Sequence, residues 1–317
     1  MKYINGIHHI TAIAGNPQKN IDFYSGILGL KFLKKTVNFD DSRTYHFYYG
    51  NETGSPGTIL TFFPWDDGGF RGRRGTGQIA TISFSVPLNS IDFWMDRLSK
   101  NNIEFAGPLK RFDEQVLIFE DHDEFELEIV GSDIEERKGY KTADIPEEHS
   151  IRGFWGAAIW HENTGPTEGL LTQLLEYRII QSTSNRIRLA TGGNKPGSFI
   201  DLLQLPNQDS GKMGVGAIHH IAFSTDNDST QKEIREILVK KNFNVTPVID
   251  RNYFKSIYFR EPGNVLFEIA TDPPGFFVDE VSGELDYSLK LPPWLEKNRK
   301  EIEASLPKVT IPVNHDT

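Results

Sequence analysis

The sequence predicts an α+β fold built from four copies of one β-α-β-β-β module. The strongest observation is a repeated string, since Gly6-Ile-His-His-Ile-Thr-Ala-Ile13 near the start is matched by Gly216-Ala-Ile-His-His-Ile-Ala-Phe-Ser224. A Pro-Gly pair introduces the closing strand of three copies, at Pro56, Pro196 and Pro262. Such self-similarity is typical of folds assembled from repeated supersecondary units.

Apolar periodicity and turn signals divide each module into an opening strand, a helix and later strands. In the first module, Asn16-Pro17 opens the helix and Gly29 ends it. The predicted elements, module by module, are Ile7–Ile13, Gln18–Leu28, Lys31–Phe39, Thr44–Tyr49 and Thr58–Phe63; Gln78–Val86, Ser90–Asn101, Val116–Glu120 and Glu124–Val130; Gly153–Trp160, Thr167–Leu175, Arg186–Thr191 and Ser198–Gln204; Ala217–Ser224, Ser229–Lys241, Lys255–Arg260 and Val265–Ala270.

We expect these modules to form two halves followed by an arm. The first half spans residues 5–131 with modules 1 and 2, and the second spans residues 152–271 with modules 3 and 4. Residues 272–317 form a C-terminal arm, in which Pro292-Pro293 opens a helix that runs to about Leu306. Whether the arm covers a pocket or makes a subunit contact stays open at this stage.

The composition limits the classes of function. The 317 residues carry a formal net charge of −10, which argues against nucleic acid or an anionic membrane as partner. The chain contains no cysteine, so thiolate chemistry is excluded and a reducing cytoplasmic location is expected. No run approaches the roughly 18 apolar residues of a membrane helix, and the polar N-terminus is unlike a signal peptide. Assembly into a homo-oligomer stays open.

The two His-His strands are the most informative feature of the chain. Only nine of the 317 residues are histidines, yet four of them lie in these two equivalent strands. Imidazole is a common ligand of divalent metals, and carboxylates complete many such sites. We therefore hypothesise that one histidine from each strand and one later carboxylate hold a divalent metal.

Further strings extend the pattern along nearly the whole chain. They are Tyr45-His-Phe-Tyr48, Arg152-Gly-Phe154, Tyr253-Phe-Lys-Ser-Ile-Tyr258 and Leu266-Phe-Glu268. Together with the two His-His strings, they resemble the vicinal-oxygen-chelate superfamily, and in particular its ring-cleaving dioxygenases that act on hydroquinones. The resemblance covers residues 6–270, whereas the arm matches only loosely.

This resemblance implies a fold, a cofactor and a reaction. The four modules would form two open barrels, with modules 1 and 4 sharing the barrel that holds the metal. The implied activity is that of a ring-cleaving, extradiol-type dioxygenase, which inserts O2 into a small aromatic diol of the hydroquinone or catechol type. Fe(II) is the implied metal, although Mn(II) or Zn(II) would suit the same kinds of ligand.

The resemblance also implies roles for individual residues. Its three metal ligands fall on His9, His220 and Glu268. Its catalytic groups fall on His8, Thr11, His219, Arg251 and Tyr258. Among the catalytic groups, His219 and Tyr258 have side chains suited to proton transfer, and Arg251 has the charge to hold a developing anion.

Strand alternation agrees with the three ligands, because successive side chains of a strand point to opposite faces. Each ligand shares its face with small or polar residues, which leaves room for a pocket. In regular strands, His8 and His219 would face away from the metal. Either a β-bulge turns them toward the site, or they are core histidines bonded to backbone. His46 is a further pocket candidate, with a buried structural role as the alternative.

The number of carboxylates separates members of the superfamily. A glyoxalase-type isomerase normally uses a fourth protein ligand, and we expect Phe62 at the position equivalent to Glu268. Three protein ligands would leave room for a diol and O2. A metal-dependent isomerase or lyase of the same superfamily stays open as an alternative, as does a non-catalytic protein that binds an aromatic compound.

The second barrel is expected to lack metal. Thr81 and Ala157 stand where the other modules have histidine. Glu124, Glu126 and Glu128 alternate with apolar residues, which predicts a strand with one solvated face.

Overall fold

The computed structural model describes residues 3–65, 69–280 and 287–312, and these ranges hold sixteen strands. In chain order the strands are β1 (Gly6–Ala14), β2 (Lys31–Asn38), β3 (Asp41–Gly50), β4 (Ile59–Pro64), β5 (Gln78–Pro87), β6 (Phe105–Arg111), β7 (Glu114–Glu120), β8 (Glu126–Ser132), β9 (Phe154–His161), β10 (Arg178–Ser182), β11 (Arg186–Ala190), β12 (Phe199–Gln204), β13 (Ala217–Thr225), β14 (Ile249–Asp250), β15 (Lys255–Arg260) and β16 (Leu266–Thr271).

Short helices lie between the strands. They are α1 (Pro17–Ile21), α2 (Ile91–Lys100), α3 (Gly165–Gln173), α4 (Asp228–Lys240) and α5 (Arg299–Ser305). Asn16 caps α1, because its side chain accepts hydrogen bonds from the first backbone N–H groups of the helix. The helix then continues as a π-helical turn over Asp22–Ile27. Within the described ranges, none of the helices is both long enough and apolar enough to cross a membrane.

The strands form two eight-stranded sheets. The first sheet has the order β14-β15-β16-β13-β1-β4-β3-β2 and therefore contains modules 1 and 4. The second has the order β10-β11-β12-β9-β5-β8-β7-β6 and contains modules 2 and 3. At the centre of each sheet the two opening strands run antiparallel, β1 beside β13 and β5 beside β9. The predicted α+β class and the pairing of modules 1 and 4 in one barrel are confirmed.

The sequence prediction omits three strands, β6, β10 and β14. All three lie at sheet edges, where a strand buries fewer side chains and shows a weaker apolar pattern. The middle of β6 is exposed and contains Gly107-Pro108, two residue types that are uncommon inside strands, so the sequence pattern of a strand is weaker still.

Two β-bulges interrupt the pairing of β1 with β13. Ile7 and His9 oppose consecutive residues of β13, so His8 is the extra residue on β1. His220 and Ile218 oppose consecutive residues of β1, so His219 is the extra residue on β13. A bulge places an additional residue on one strand and redirects its side chain. His8 and His219, which regular alternation would turn away, therefore stay beside the predicted ligands His9 and His220.

The observed register corrects one equivalence in the first barrel. Thr11 pairs with Thr61, whereas Ala222, at the corresponding place in β13, pairs with Glu268. Thr61 is therefore the residue equivalent to Glu268, and the expectation of Phe62 was wrong by one position. Phe62 points into the hydrophobic core instead. The conclusion that this strand supplies no fourth carboxylate is unchanged.

The same comparison corrects the second barrel. Gly156 pairs with Ser83 in the way that His9 pairs with Ala222, so Gly156 rather than Ala157 occupies the place of His9. Gly156 follows Gly153 by three positions, as His9 follows Gly6, whereas His220 follows Gly216 by four. An alignment made on module 4 is therefore shifted by one residue.

The predicted solvated face holds for Glu124, which is exposed, but was wrong for Glu128. Glu128 is only 2% exposed, and it accepts a hydrogen bond from Ser83 Oγ at 2.6 Å. Its two carboxylate oxygens accept from the Arg111 guanidinium at 2.7 and 2.8 Å. A buried carboxylate requires such a partner, and single-sequence alternation cannot show that β6 supplies one.

The C-terminal arm packs against the first barrel. Phe276 is buried and stacks on Tyr253, with ring centroids 4.9 Å apart. Farther on, the Trp294 ring meets Phe39 edge-on, and the backbone carbonyl of Pro307 accepts a hydrogen bond from a strand tyrosine. The predicted helix is shorter than expected, since α5 begins only at Arg299.

Candidate metal centre

The three predicted metal ligands converge on one point in the first barrel. His9 Nε2 lies 3.3 Å from His220 Nε2 and 3.2 Å from Glu268 Oε2. His220 Nε2 lies 2.8 Å from the same carboxylate oxygen. Three ligands on one face of an octahedron, each about 2.1 Å from the metal, would lie about 3 Å apart. The cluster therefore has the dimensions of a facial triad.

The electrostatics of Glu268 also fit a cation. Its side chain is fully buried, and Oε2 receives no well-formed hydrogen bond although two imidazoles face it. Burial alone would raise the pKa of this carboxyl group, but His9 and His220 hold the pKa well below its usual range. The other oxygen, Oε1, accepts a hydrogen bond from the Ser256 hydroxyl. A charged, positioned carboxylate with one orphaned oxygen is suited to a divalent metal.

Each ligand histidine is hydrogen-bonded to the bulged histidine before it. The Nδ1 atoms of His8 and His9 are 2.9 Å apart, and those of His219 and His220 are 2.8 Å apart. A neutral imidazole that binds metal through Nε2 carries its hydrogen on Nδ1. The Nδ1 atoms of His8 and His219 then accept, so each of these rings carries its own hydrogen on Nε2.

The two bulged histidines differ in their surroundings. His8 is 2% exposed, packs edge-on against Phe254 and hydrogen-bonds to the backbone of Thr271. His219 is less buried and lines the pocket beside the ligand cluster. Burial lowers the pKa of both imidazoles to about 3, with the adjacent histidine contributing, so both are neutral near pH 7.

A pocket of about 270 Å³ opens from the ligand cluster. This volume lies near the lower limit of the roughly 300–1,000 Å³ that is usual for small-molecule sites, which suits a single ring. The pocket is lined by apolar and aromatic side chains together with a few polar groups. The lining includes Phe63, Phe254, Thr11, His46, His219 and Arg251.

Tyr258 and Arg251 form one polar wall of this pocket. Arg251 Nε donates to the Tyr258 hydroxyl at 3.2 Å, and the guanidinium also faces Asp40 at 3.4 Å. Tyr258 pairs with Glu268 across the strands, which places its ring 5.7 Å from that of His220. Burial raises the pKa of Tyr258, so its hydroxyl is protonated at neutral pH. The pair offers a fixed cation and a hydroxyl next to the ligands.

The opposite wall combines the predicted Thr11 and His46 with Thr61 and Tyr48, which the sequence analysis missed. Thr61 donates to Thr11 at 2.9 Å, and His46 Nε2 lies 2.9 Å from the same Thr61 hydroxyl. Tyr48 contacts the other nitrogen of His46 at 2.8 Å. His46 and Tyr48 belong to the quoted string that begins at Tyr45, and their spacing of two puts them on one strand face. That signal alone would have identified them as neighbours.

A second group of possible ligands, Asp121, His122 and Asp123, is held by the fold itself. Asp121 accepts two backbone N–H groups and the Tyr24 hydroxyl. Asp123 accepts the backbone N–H of Gly15 at 2.7 Å. These backbone contacts hold both carboxylates in a turn, and both oxygens of Asp121 already accept hydrogen bonds.

The chain is similar to known proteins over nearly its full length. A family model described as Glyoxalase/Bleomycin resistance protein/Dioxygenase superfamily matches residues 6–129. The protein named "Putative ring-cleaving dioxygenase MhqO", from Bacillus subtilis (strain 168), is 43% identical over 301 residues, which are 95% of each chain. Chlorohydroquinone/hydroquinone 1,2-dioxygenase from Sphingobium indicum is 31% identical over 309 residues, covering 94% of this chain and 95% of that protein.

A solved structure agrees with these sequence relatives. The crystal structure titled as a "putative dioxygenase" from Bacillus subtilis subsp. subtilis str. 168 superimposes with a TM-score of 0.94 at 42% identity, covering 98% of this chain and 99% of that one. The chain therefore belongs to the glyoxalase/bleomycin resistance/dioxygenase superfamily, in which its close homologues are hydroquinone-type ring-cleaving dioxygenases.

Proposed function

We propose that the protein is an Fe(II)-dependent dioxygenase that cleaves the ring of a hydroquinone-type diol. The observation that carries the proposal is the cluster of His9, His220 and Glu268, whose ligand atoms lie within 3.3 Å of one another at the base of a ring-sized pocket. Two histidines and one carboxylate leave several coordination positions for other molecules. The name of the Sphingobium relative favours a para-diol over a catechol as substrate.

When bound, Fe(II) would supply a centre at which a phenolate oxygen and O2 meet and through which electrons pass from ring to oxygen. Mn(II) and Zn(II) fit the same ligands, but the redox role favours iron. In the overall reaction both atoms of O2 enter the product and one ring carbon–carbon bond breaks, which gives an open-chain acid. The cleavage would be of the extradiol type.

The residues of the chain would orient the substrate and handle protons. The aromatic rings of Phe63 and Phe254 line the pocket and offer surfaces against which a flat ring can pack. Arg251 supplies a positive charge for a developing oxyanion. His219 presents its Nε2–H to the pocket, because its Nδ1 accepts from His220. We therefore assign the neutral His219 ring as the hydrogen-bond donor that orients substrate-derived oxygen for proton transfer.

Oxygen uptake tests the proposal directly. The protein is purified without oxygen, loaded with Fe(II) and given methylhydroquinone or catechol, and oxygen uptake and ring-opened product are followed. We expect uptake with methylhydroquinone to be faster than with catechol. His220→Ala should lose both metal and turnover, whereas His149→Ala, outside the first barrel, should keep both.

Other results would contradict the proposal. A fully iron-loaded protein that consumes no oxygen with either diol would not be a dioxygenase of this class. Turnover of a substrate without oxygen would favour the isomerase alternative, and retention of full metal content by His220→Ala would refute the ligand assignment.

A further inference from the structure

The wall of the pocket opposite Tyr258 holds four polar side chains in one continuous chain of hydrogen bonds. Tyr48 Oη lies 2.8 Å from His46 Nδ1, and His46 Nε2 lies 2.9 Å from Thr61 Oγ1. Thr61 Oγ1 lies 2.9 Å from Thr11 Oγ1, and Thr11 lines the pocket on the same strand face as His9. The chain thus connects a buried tyrosine to the edge of the metal centre.

The burial of Tyr48 fixes the direction of this chain. Its side chain borders the pocket but is only 1% exposed, and among the described residues the only hydrogen-bond partner of its hydroxyl is His46. If His46 Nδ1 carried a hydrogen, the Tyr48 hydroxyl hydrogen would be buried without an acceptor, which proteins strongly avoid. Tyr48 therefore donates to Nδ1, and the imidazole hydrogen is on Nε2.

The remaining bonds follow from that first one. His46 Nε2–H donates to Thr61, so the Thr61 hydroxyl hydrogen must go to Thr11. Thr11 is then an acceptor within the chain, and no acceptor for its own hydrogen occurs in the described ranges. That hydrogen faces the pocket. Burial, with the nearby His9, His220 and Arg251, holds the pKa of His46 well below its usual range, in keeping with a neutral ring.

We propose that His46 is a positioning residue that makes the Thr11 hydroxyl a fixed hydrogen-bond donor to an electron-rich oxygen in the pocket. The direction of the chain follows from the contacts alone. That this oxygen atom belongs to the substrate or to O2 rests on the proposed function.

The internal repeat explains why such a chain exists on this wall. Thr61 is equivalent to Glu268, and Tyr48 pairs with Thr61 as Tyr258 pairs with Glu268. His46, two residues before Tyr48, corresponds to Ser256, which holds Glu268 Oε1. Where module 4 has a serine that supports a metal-binding carboxylate, module 1 has an imidazole that supports a hydroxyl donor.

Ring nitrogen chemical shifts test the direction without metal or turnover. In metal-free protein labelled with 15N-histidine, the signal assigned to His46 by its loss in His46→Gln should show the Nε2–H tautomer. Tyr48→Phe removes the donor to Nδ1 and should shift His46 toward a mixture of tautomers. Tyr177→Phe is the matched control, because the Tyr177 hydroxyl is buried without a partner. A predominant Nδ1–H tautomer in the unsubstituted protein would overturn the proposal.

Kinetics test the consequence once turnover of the unsubstituted protein is established. We expect His46→Phe to lower kcat about 10-fold to 100-fold while iron content is kept. This is less than the roughly 10²-fold to 10³-fold loss when an oxyanion donor is removed, because the Thr11 hydroxyl itself remains. His46→Gln should recover part of kcat, because its amide can donate to Thr61. Equal kcat values for His46→Phe and the unsubstituted protein would refute the positioning role. If the protein consumes no oxygen at all, only the proposed function fails, since the tautomer result does not depend on it.

Discussion

His8 and His219 are the extra residues of two bulges in the same strand pair, yet they lie in different environments. The Nδ1 atoms of His8 and His219 lie 2.9 and 2.8 Å, respectively, from the Nδ1 atoms of the histidines that follow them, His9 and His220. His8 is buried against Phe254, whereas His219 lies on the wall of the pocket. His8 is therefore placed only to support His9, whereas His219 is also placed to reach a molecule in the pocket.

We therefore predict different consequences for the two substitutions. His219→Ala should lower kcat about 10²-fold to 10⁴-fold, the usual contribution of a general acid or base, with iron content retained. His8→Ala should instead weaken metal affinity about 10-fold to 100-fold, because it removes the partner that orients His9. Iron content, metal titration and kcat at saturating metal distinguish the two effects. If His8→Ala lowered kcat at full metal occupancy as much as His219→Ala, this division of roles would be incorrect.

The equivalence of Thr61 and Glu268 allows a gain of metal binding to be predicted. Thr61→Glu should place a fourth ligand opposite Glu268, so we expect tighter metal binding and about 100-fold lower oxygen uptake, because a coordination position is taken. Thr61→Gln is the matched neutral control and should not tighten metal binding, although it also breaks the contact with Thr11. Metal titration of both variants provides the measurement. Metal affinity that is equal in the two variants would show that Thr61 does not face the metal position.

Much of this architecture could be predicted from the sequence, because repeats and paired histidines are local signals. The two sheets follow from the module count, and His9, His220 and Glu268 were each located by motif. The bulges at His8 and His219 could not be predicted, since a bulge is a relation between two strands that one strand does not reveal. The same limit produced the one-residue errors at the positions equivalent to Glu268 and His9.

Buried ion pairs were the other feature that the sequence could not reveal. Alternation along β8 indicates which residues share a face, but it does not show whether that face meets water or an arginine from another strand. Glu128 faces Arg111 from β6, a strand that the sequence prediction omitted. In the second barrel, guanidinium groups neutralise carboxylates at places equivalent to the candidate metal site of the first barrel.

The Arg188 network should therefore stabilise the second barrel. Arg188 is 2% exposed and donates to Asp201 at 2.8 and 3.0 Å and to Glu114 at 2.8 Å. Arg188→Leu leaves the buried Glu114 without its arginine and leaves Asp201 with only its 2.7 Å contact from Arg186, and we expect a loss of about 3–5 kcal/mol in the free energy of unfolding. Urea denaturation measures this loss in the free energy of unfolding. Arg43→Leu removes an exposed contact with Asp41 and should change stability by less than about 1 kcal/mol. Similar values for both variants would contradict the prediction.

The buried turn at Asp121 predicts a particular dependence of stability on pH. Burial raises the pKa of Asp121 from 3.8 to about 7, despite two backbone N–H groups and the Tyr24 hydroxyl, and the charge of Asp123 adds to the increase. The folded state then holds a proton that the unfolded chain has lost. The contribution of Asp121 to the free energy of unfolding is fully present below about pH 4. It is lost as pH rises toward 7, by up to about 1.4 kcal/mol per pH unit.

Asp121→Asn removes this titration while keeping an oxygen for the backbone N–H groups. In urea denaturation of metal-free protein, the unsubstituted chain should lose stability relative to Asp121→Asn between pH 5 and pH 7, with no further divergence above about pH 8. Asp92→Asn, exposed on α2, should show a constant difference across the same range. His122 faces Asp123 and titrates in both proteins, so its contribution largely cancels in the comparison. A pH-independent difference between the unsubstituted chain and Asp121→Asn would mean that Asp121 is charged throughout, held by its backbone donors against the effect of burial.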